Sequence, residues 1–143
     1  MGAISQILAD KGRSVWTVEK SAKVFDAMGV MADKQVGALI VVEGGNLCGV
    51  ISERDYARKV ALEGKSSREM TVGEIMSSPV ICITPGKTVE ECMAIMTDKH
   101  IRHLPIVSEE GELLGMISSR DLVQSIIAEQ KFVIEQLEHY ITG

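Results

Sequence analysis

Aromatic side chains are scarce in this chain: Trp16, Phe25, Tyr56, Phe132 and Tyr140 are the full set. So few rings leave no platform on which successive nucleic-acid bases could stack. A basic surface is missing too, because 15 Lys and Arg stand against 20 Asp and Glu, a formal net charge of −5. General nucleic-acid binding asks for the opposite sign. Apolar runs such as Gly37 to Val42 are short, far below the roughly 20 residues of a membrane helix. No membrane span is expected. The start, Met1 to Leu8, lacks a basic segment followed by a long apolar core, so no secretory signal is expected either.

Metal and thiol chemistry are equally poorly supplied. Cys48, Cys82 and Cys92 are odd in number and show no paired spacing, as expected of a protein in a reducing cytoplasm. The chain has no CxxC, HxxxH or HExxH, so no metal site is expected. The cysteines with His100, His103 and His139 could in principle supply a nucleophile and its base. But Cys48 and Cys82 fall in apolar, strand-like runs and Cys92 on a Met-rich helical face, where cysteine packs as a small hydrophobe. No catalytic activity is expected. Met28, Met31, Met93 and Met96 read as the adaptable inner face of two facing helices.

What the chain does have is a phrase written twice. Gly49-Val50-Ile51-Ser52-Glu53-Arg54-Asp55 returns as Gly115-Met116-Ile117-Ser118-Ser119-Arg120-Asp121. Residues 24–42 lie over 89–107 at an offset of 65, and the phrase repeats at 66, with the extra residue in a turn. Identities such as Val24/Val89, Met31/Met96, Asp33/Asp98 and Leu39/Leu104 keep one register, which is the mark of a duplication.

Each half reads strand, helix, strand, strand, helix. Residues 15–18 and 80–83 are short β-rich runs, and 24–31 and 89–96 carry apolar residues at helical spacing. Residues 38–42 with 47–51, and 104–107 with 113–117, read as hairpins. Helices then run from Ser52 to about Leu62 and from Ser118 to about Ile127. Outside the repeat stand a short amphipathic helix over 4–11, a helical turn over 71–76 broken by Pro79, and a tail over 129–141. Phe132, Val133, Leu137, Tyr140 and Ile141 share one side of that tail. The organisation expected is an N-terminal helical extension (1–14), a first repeat (15–65), a linker (66–79), a second repeat (80–128) and a C-terminal helical tail (129–143).

Ser52 with Asp55, and Ser118 with Asp121, are good helix caps. The same corners suit a ligand. An ionised aspartate accepts hydrogen bonds from two vicinal ribose hydroxyls, and a serine hydroxyl with free helix N–H groups suits a phosphate. Arg102 and His103 enter the strand beside the second corner and offer phosphate donors. Gly37 and Ala38 hold the aligned places in the first half, so the two corners are not equivalent.

The repeat order, the Gly-apolar-apolar-Ser-x-Arg-Asp endings and the Leu-Pro-Ile-Val strand at 104–107 resemble CBS domains, and nearly the whole chain resembles a tandem CBS pair, a Bateman module. That resemblance implies an α/β fold of two β-α-β-β-α repeats packed with pseudo-twofold symmetry. It also implies clefts between the repeats that bind adenosine-containing ligands: AMP, ADP, ATP, and less often NAD or S-adenosylmethionine. Carried over by position, Asp55 and Asp121 hold ribose hydroxyls, and Ser52 and Ser118 face ribose or phosphate. Arg54, Arg120, Arg102 and His103 are the phosphate candidates. Val36, Gly37, Ala38 and Ile101 flank the base, and Thr84 and Lys87 are lesser pocket candidates. The function implied is a cytoplasmic, non-catalytic regulatory module with an unidentified effector protein and no catalytic cofactor, forming a homodimer through its helices. The alternative is a structural homodimerisation module in which the serines are caps alone.

Overall fold

The computed structural model describes residues 2–12 and 15–142. The chain forms two compact units, Val15–Ile81 and Met1–Ser14 with Cys82–Gly143.

The first unit carries a three-stranded sheet in the order β1 (Thr17–Glu19), β2 (Ala38–Glu43), β3 (Asn46–Ser52). β1 runs parallel to β2, and β2 forms an antiparallel hairpin with β3. Helix α2 (Val24–Lys34) crosses between β1 and β2. It ends because Gln35 turns left-handed, at φ 56°, and its N–H closes on the Met31 carbonyl. The period of 3.6 in α2 and of 2 in β2 brings Val24, Ala27 and Met31 onto Leu39 and Val41. Ile51, Val60, Val72 and Ile75 complete that core. After β3 the helix expected to reach Leu62 is α-helical over α3 (Glu53–Tyr56) alone. Ala57–Ala61 form a wider π turn, whose signature is the Leu62 N–H on the Ala57 carbonyl. Val60 is buried from that turn, and Gly64, at φ 68°, follows it. A short helix, α4 (Val72–Ile75), completes the unit.

The second unit repeats the plan. α5 (Val89–Lys99) ends at a left-handed His100, φ 55°, and β4 (His103–Val107) pairs with β5 (Leu113–Ser118). Its hairpin irregularity, between Ile106 and Val107, matches the one between Val41 and Val42 at the same offset of 65. α6 (Ser119–Thr142) then runs through the expected tail as one helix of 24 residues. The strand expected over 80–83 shrinks to a single parallel bridge, Ile83 with Ile106. Pro79 and Pro85 flank that run, and a proline offers no N–H to a ladder. Met93 is also not an inner-face residue: it is 38% exposed, whereas Met96 and Cys92 are buried.

The extension and the linker turn out to be counterparts. α1 (Ile4–Lys11) docks on the second unit: the Ile4 and Ser5 N–H groups donate to the Lys87 and Pro85 carbonyls, at 2.8 and 3.0 Å. α4 docks on the first, with the Val72 and Gly73 N–H groups on the Ala22 and Lys20 carbonyls, at 2.8 and 2.9 Å. The acceptors match at an offset of 65 and the donors at 68. Ile4 and Val72 are both wholly buried. Each helix leans on a glycine of the duplicated phrase: a Cβ on Gly49 would lie 2.5 Å from Met76 Sδ, and one on Gly115 2.6 Å from Leu8 Cδ1. The glycines therefore serve the docking of α4 and α1.

Candidate functional site

Both corners are closed in the same way. The Glu53 N–H donates to the Gly37 carbonyl at 3.0 Å, and the Ser119 N–H to the Arg102 carbonyl at 2.9 Å. The Asp55 and Asp121 N–H groups donate to the Ser52 and Ser118 hydroxyls, at 3.1 and 3.2 Å. In return Asp55 Oδ2 and Asp121 Oδ2 accept the Ser52 and Ser118 N–H, at 2.9 and 2.8 Å. These are reciprocal capping boxes with aspartate where glutamate is commoner. Two donors of each first turn are thus already taken, fewer free N–H groups than the sequence led one to expect. Charge for an anion must come mainly from side chains.

The two carboxylates differ in what else they hold. Asp55, 9% exposed, also accepts the Ser52 hydroxyl on Oδ2, at 3.0 Å, and the Ser77 hydroxyl on Oδ1, at 3.2 Å. Lys59 Nζ stands 3.2 Å from Oδ1 and donates to the Ile75 carbonyl at 2.9 Å. Asp121 is half-buried, and Oδ2 carries its bonds: the Ser118 N–H and Lys11 Nζ at 2.7 Å. Lys11 Nζ also donates to the Met116 carbonyl at 3.0 Å. Oδ1 of Asp121 accepts no hydrogen bond among the described residues. Burial pushes the Asp121 carboxyl up. The Lys11 and Ser118 hydrogen bonds and the Lys11 charge outweigh that, so the group ends below the usual aspartate range. The lysines reach the same kind of place from different elements. Ser125 stands at the repeat position of Lys59, and Pro79 at the helix counterpart of Lys11.

The other expected residues fall as follows. His103 pairs in register with Ser118, as Ala38 does with Ser52. Arg102 precedes it and is exposed, as are Arg54 and Arg120 in their helix first turns. Val36, Gly37 and Ile101 are half-buried at the strand entries. Thr84 is exposed, and Lys87 pairs with Glu91 at 3.5 Å while its carbonyl receives α1. The Thr84 carbonyl accepts the Lys87 N–H at 3.2 Å, in the turn that seats α1. Lys11, Lys59 and Ser77 were not singled out by sequence reasoning. A lysine one turn after the aspartate was the visible signal for Lys59; Lys11 lies 110 residues from Asp121 and gave none.

Among the described residues no group of three or more His, Cys, Asp or Glu could hold a metal ion. Burial raises the Cys82 thiol and, with the Glu91 charge, lifts Cys92 to about 11, which keeps both in the weakly nucleophilic thiol form. A hollow of about 500 Å³ in the first unit is walled by Glu19, Glu43 and Glu74 around Lys20. Lys20 is already paired with Glu43 at 3.2 Å, so that acidic wall is a poor host for an anion. No helix among the described residues is long and apolar enough to cross a membrane.

A duplicated α/β unit whose second strand pair ends in a Ser-Asp capped helix is the architecture of a CBS repeat. The CBS domain family model matches residues 7–62 and again 72–128, so the chain belongs to the CBS-domain family and carries two copies. CBS domain-containing protein CBSX3, mitochondrial, of Arabidopsis thaliana is 37% identical over 98% of this chain and 72% of its own length. A solved CBS-domain protein from Burkholderia ambifaria MC40-6 superposes with a TM-score of 0.86. It is 46% identical, and the match covers 90% of this chain and 96% of that one. The CBS domain pair of protein MJ0100, solved with 5′-methylthioadenosine and S-adenosylmethionine, shares the fold at a TM-score of 0.78. It is 22% identical, over 90% of this chain and 98% of that one.

Proposed function

We propose that this CBS pair is a non-catalytic regulatory module that holds an adenosine-containing nucleotide (AMP, ADP, ATP or NAD) at its strand-to-helix corners and passes occupancy to an effector protein. One observation carries the reading: an aspartate stands at the same place in both repeats, and among the described residues Asp121 keeps one carboxylate oxygen without a hydrogen bond beside Lys11. That pairing suits vicinal hydroxyls next to a phosphate. The adenosine ligands of the MJ0100 pair support the ligand class. Ser52, Ser118, Arg54, Arg120, Arg102 and His103 take the ribose and phosphate roles, with Val36, Gly37, Ala38 and Ile101 beside the base. The free thiols of Cys48, Cys82 and Cys92 fit a reducing cytoplasm.

A panel of AMP, ADP, ATP, NAD and S-adenosylmethionine tests this by thermal shift. A true ligand at a hundredfold excess over its dissociation constant stabilises the protein by about 2.7 kcal/mol, and Asp121→Asn lessens the shift. If no ligand raises the melting temperature, the sensor reading fails. The second reading is a structural homodimer. Phe132, Val133, Ile134, Leu137 and Ile141 on α6 are 49–79% exposed, an apolar face that suits a second copy. Under that reading the chain sediments as a dimer, Leu137→Glu makes it a monomer, and no nucleotide alters either result.

A further inference from the structure

The second corner holds a lysine that belongs to neither copy of the duplicated phrase. Lys11 closes α1, and its ammonium bridges Asp121 Oδ2 at 2.7 Å and the Met116 carbonyl at 3.0 Å. An ammonium has three N–H donors. Two are committed to these fixed oxygens, and among the described residues the third remains for a group lying over the corner. The bridge also holds the nitrogen in place before any ligand arrives, so a flexible side chain behaves as a fixed charge. The stem is 42% exposed, so the ammonium is reachable from solvent.

The backbone supplies little of this charge. The Ser119 and Asp121 N–H groups are spent on the Arg102 carbonyl and the Ser118 hydroxyl, and Asp121 itself repels an anion. Lys11 stands on the same carboxylate as the open oxygen and is therefore placed to decide which nucleosides are accepted. We infer that Lys11 is the charge-selecting residue of the second corner: it donates to the phosphate of a nucleoside phosphate whose ribose hydroxyls sit on Asp121 Oδ1. The inference rests on the nucleotide reading proposed above and narrows it. This corner takes ligands carrying an anionic phosphate on the ribose, and it discriminates against neutral adenosine and cationic S-adenosylmethionine.

Calorimetry on the full chain tests it with AMP, adenosine and S-adenosylmethionine as probes, against wild type, Lys11→Met, Lys11→Arg and Asp121→Asn. Lys11→Met keeps an unbranched stem and loses the charge. Its expected effect is a loss of about ten- to a hundredfold in AMP affinity, the range of one charge-assisted hydrogen bond. Adenosine affinity is expected to hold within about twofold, and Lys11→Arg to restore most of the AMP affinity. Asp121→Asn is expected to weaken AMP and adenosine together. An unchanged ratio of AMP to adenosine affinity in Lys11→Met overturns the role of Lys11, even where Asp121→Asn still weakens both. Equal tightening of both ligands would make Lys11 a competitor for Asp121 and overturns it too. If Asp121→Asn alters neither ligand, or none binds, the nucleotide reading of the corner falls with it. Thermal melts of the variants without ligand, within a few degrees of wild type, show that the comparison is between folded proteins.

Discussion

The two corners have the same backbone and different occupants. In the first, Asp55 is saturated by its own serine, by Ser77 from the strand of chain after α4, and by Lys59 from the π turn beyond α3. In the second, Asp121 has one serine, one lysine from a helix at the far end of the sequence and, among the described residues, an oxygen that accepts no hydrogen bond. A carboxylate with every lone pair engaged acts as a structural clamp and must give up a partner to take a ribose; one with an oxygen to spare need not. The two corners share one backbone plan, and the residues that reach Asp55 from outside the phrase, Ser77 and Lys59, make the first the tighter clamp.

The comparison breaks most forcefully at the helices. Ile4 anchors α1 and is wholly buried, so Ile4→Ala should cost about 2–5 kcal/mol. The loss should be read by hydrogen exchange in β4 and β5, with Val72→Ala producing the smaller, mirrored loss in β2 and β3. Exchange that rises equally in all four strands in both variants would deny that each helix belongs to one unit. Next come the aspartates. Asp55→Ala leaves the Ser52 N–H, the Ser77 hydroxyl and the Lys59 ammonium without their acceptor, for about 2 kcal/mol, whereas Asp121→Ala should cost about 1 kcal/mol. Urea unfolding of the two variants side by side measures that difference, and equal costs would erase the clamp.

The smallest effect is on pH. The Asp121 carboxyl is depressed by Lys11 and Ser118, so its stabilising contribution is full above the unfolded value of about 3.9 and is lost as pH falls through the lower folded value. Amide exchange at Ile4 and Ser5, followed through an acid titration, should therefore rise below about pH 4. In Lys11→Met the same change should come at higher pH, and a curve that does not move would mean that Lys11 is not the cause.

Much of this was legible in the residues. The repeat, its hairpins and its Ser-Asp corners are contiguous patterns whose residue types are specific, and the family match and the fold agree with them. The place of His103 beside the Ser118 corner also followed from the repeat. What stayed hidden was long-range. The kinship of α1 and α4 escaped because their offset of 68 departs from the 65 of the carbonyls they dock on, and because α1 packs on the repeat farther along the chain. Asp55 gave no sign of Ser77, 22 residues away. Helical spacing extended the α3 helix through Leu62, but spacing alone does not show a turn widening to i,i+5 at Leu62. At Met93, matched in sequence to the half-buried Met28, the repeat overstated the likeness of the two environments.

The docking of α1 has a consequence for how the protein is made. Every element of the first unit lies within Val15–Ile81, so that unit can close while the rest of the chain is still being synthesised. α1 is translated before all of it, yet its acceptors at Pro85 and Lys87 and the strand at Gly115 come much later. A helix that emerges before the first unit is thus among the last to find its place, and until then Lys11 has no Asp121 to hold.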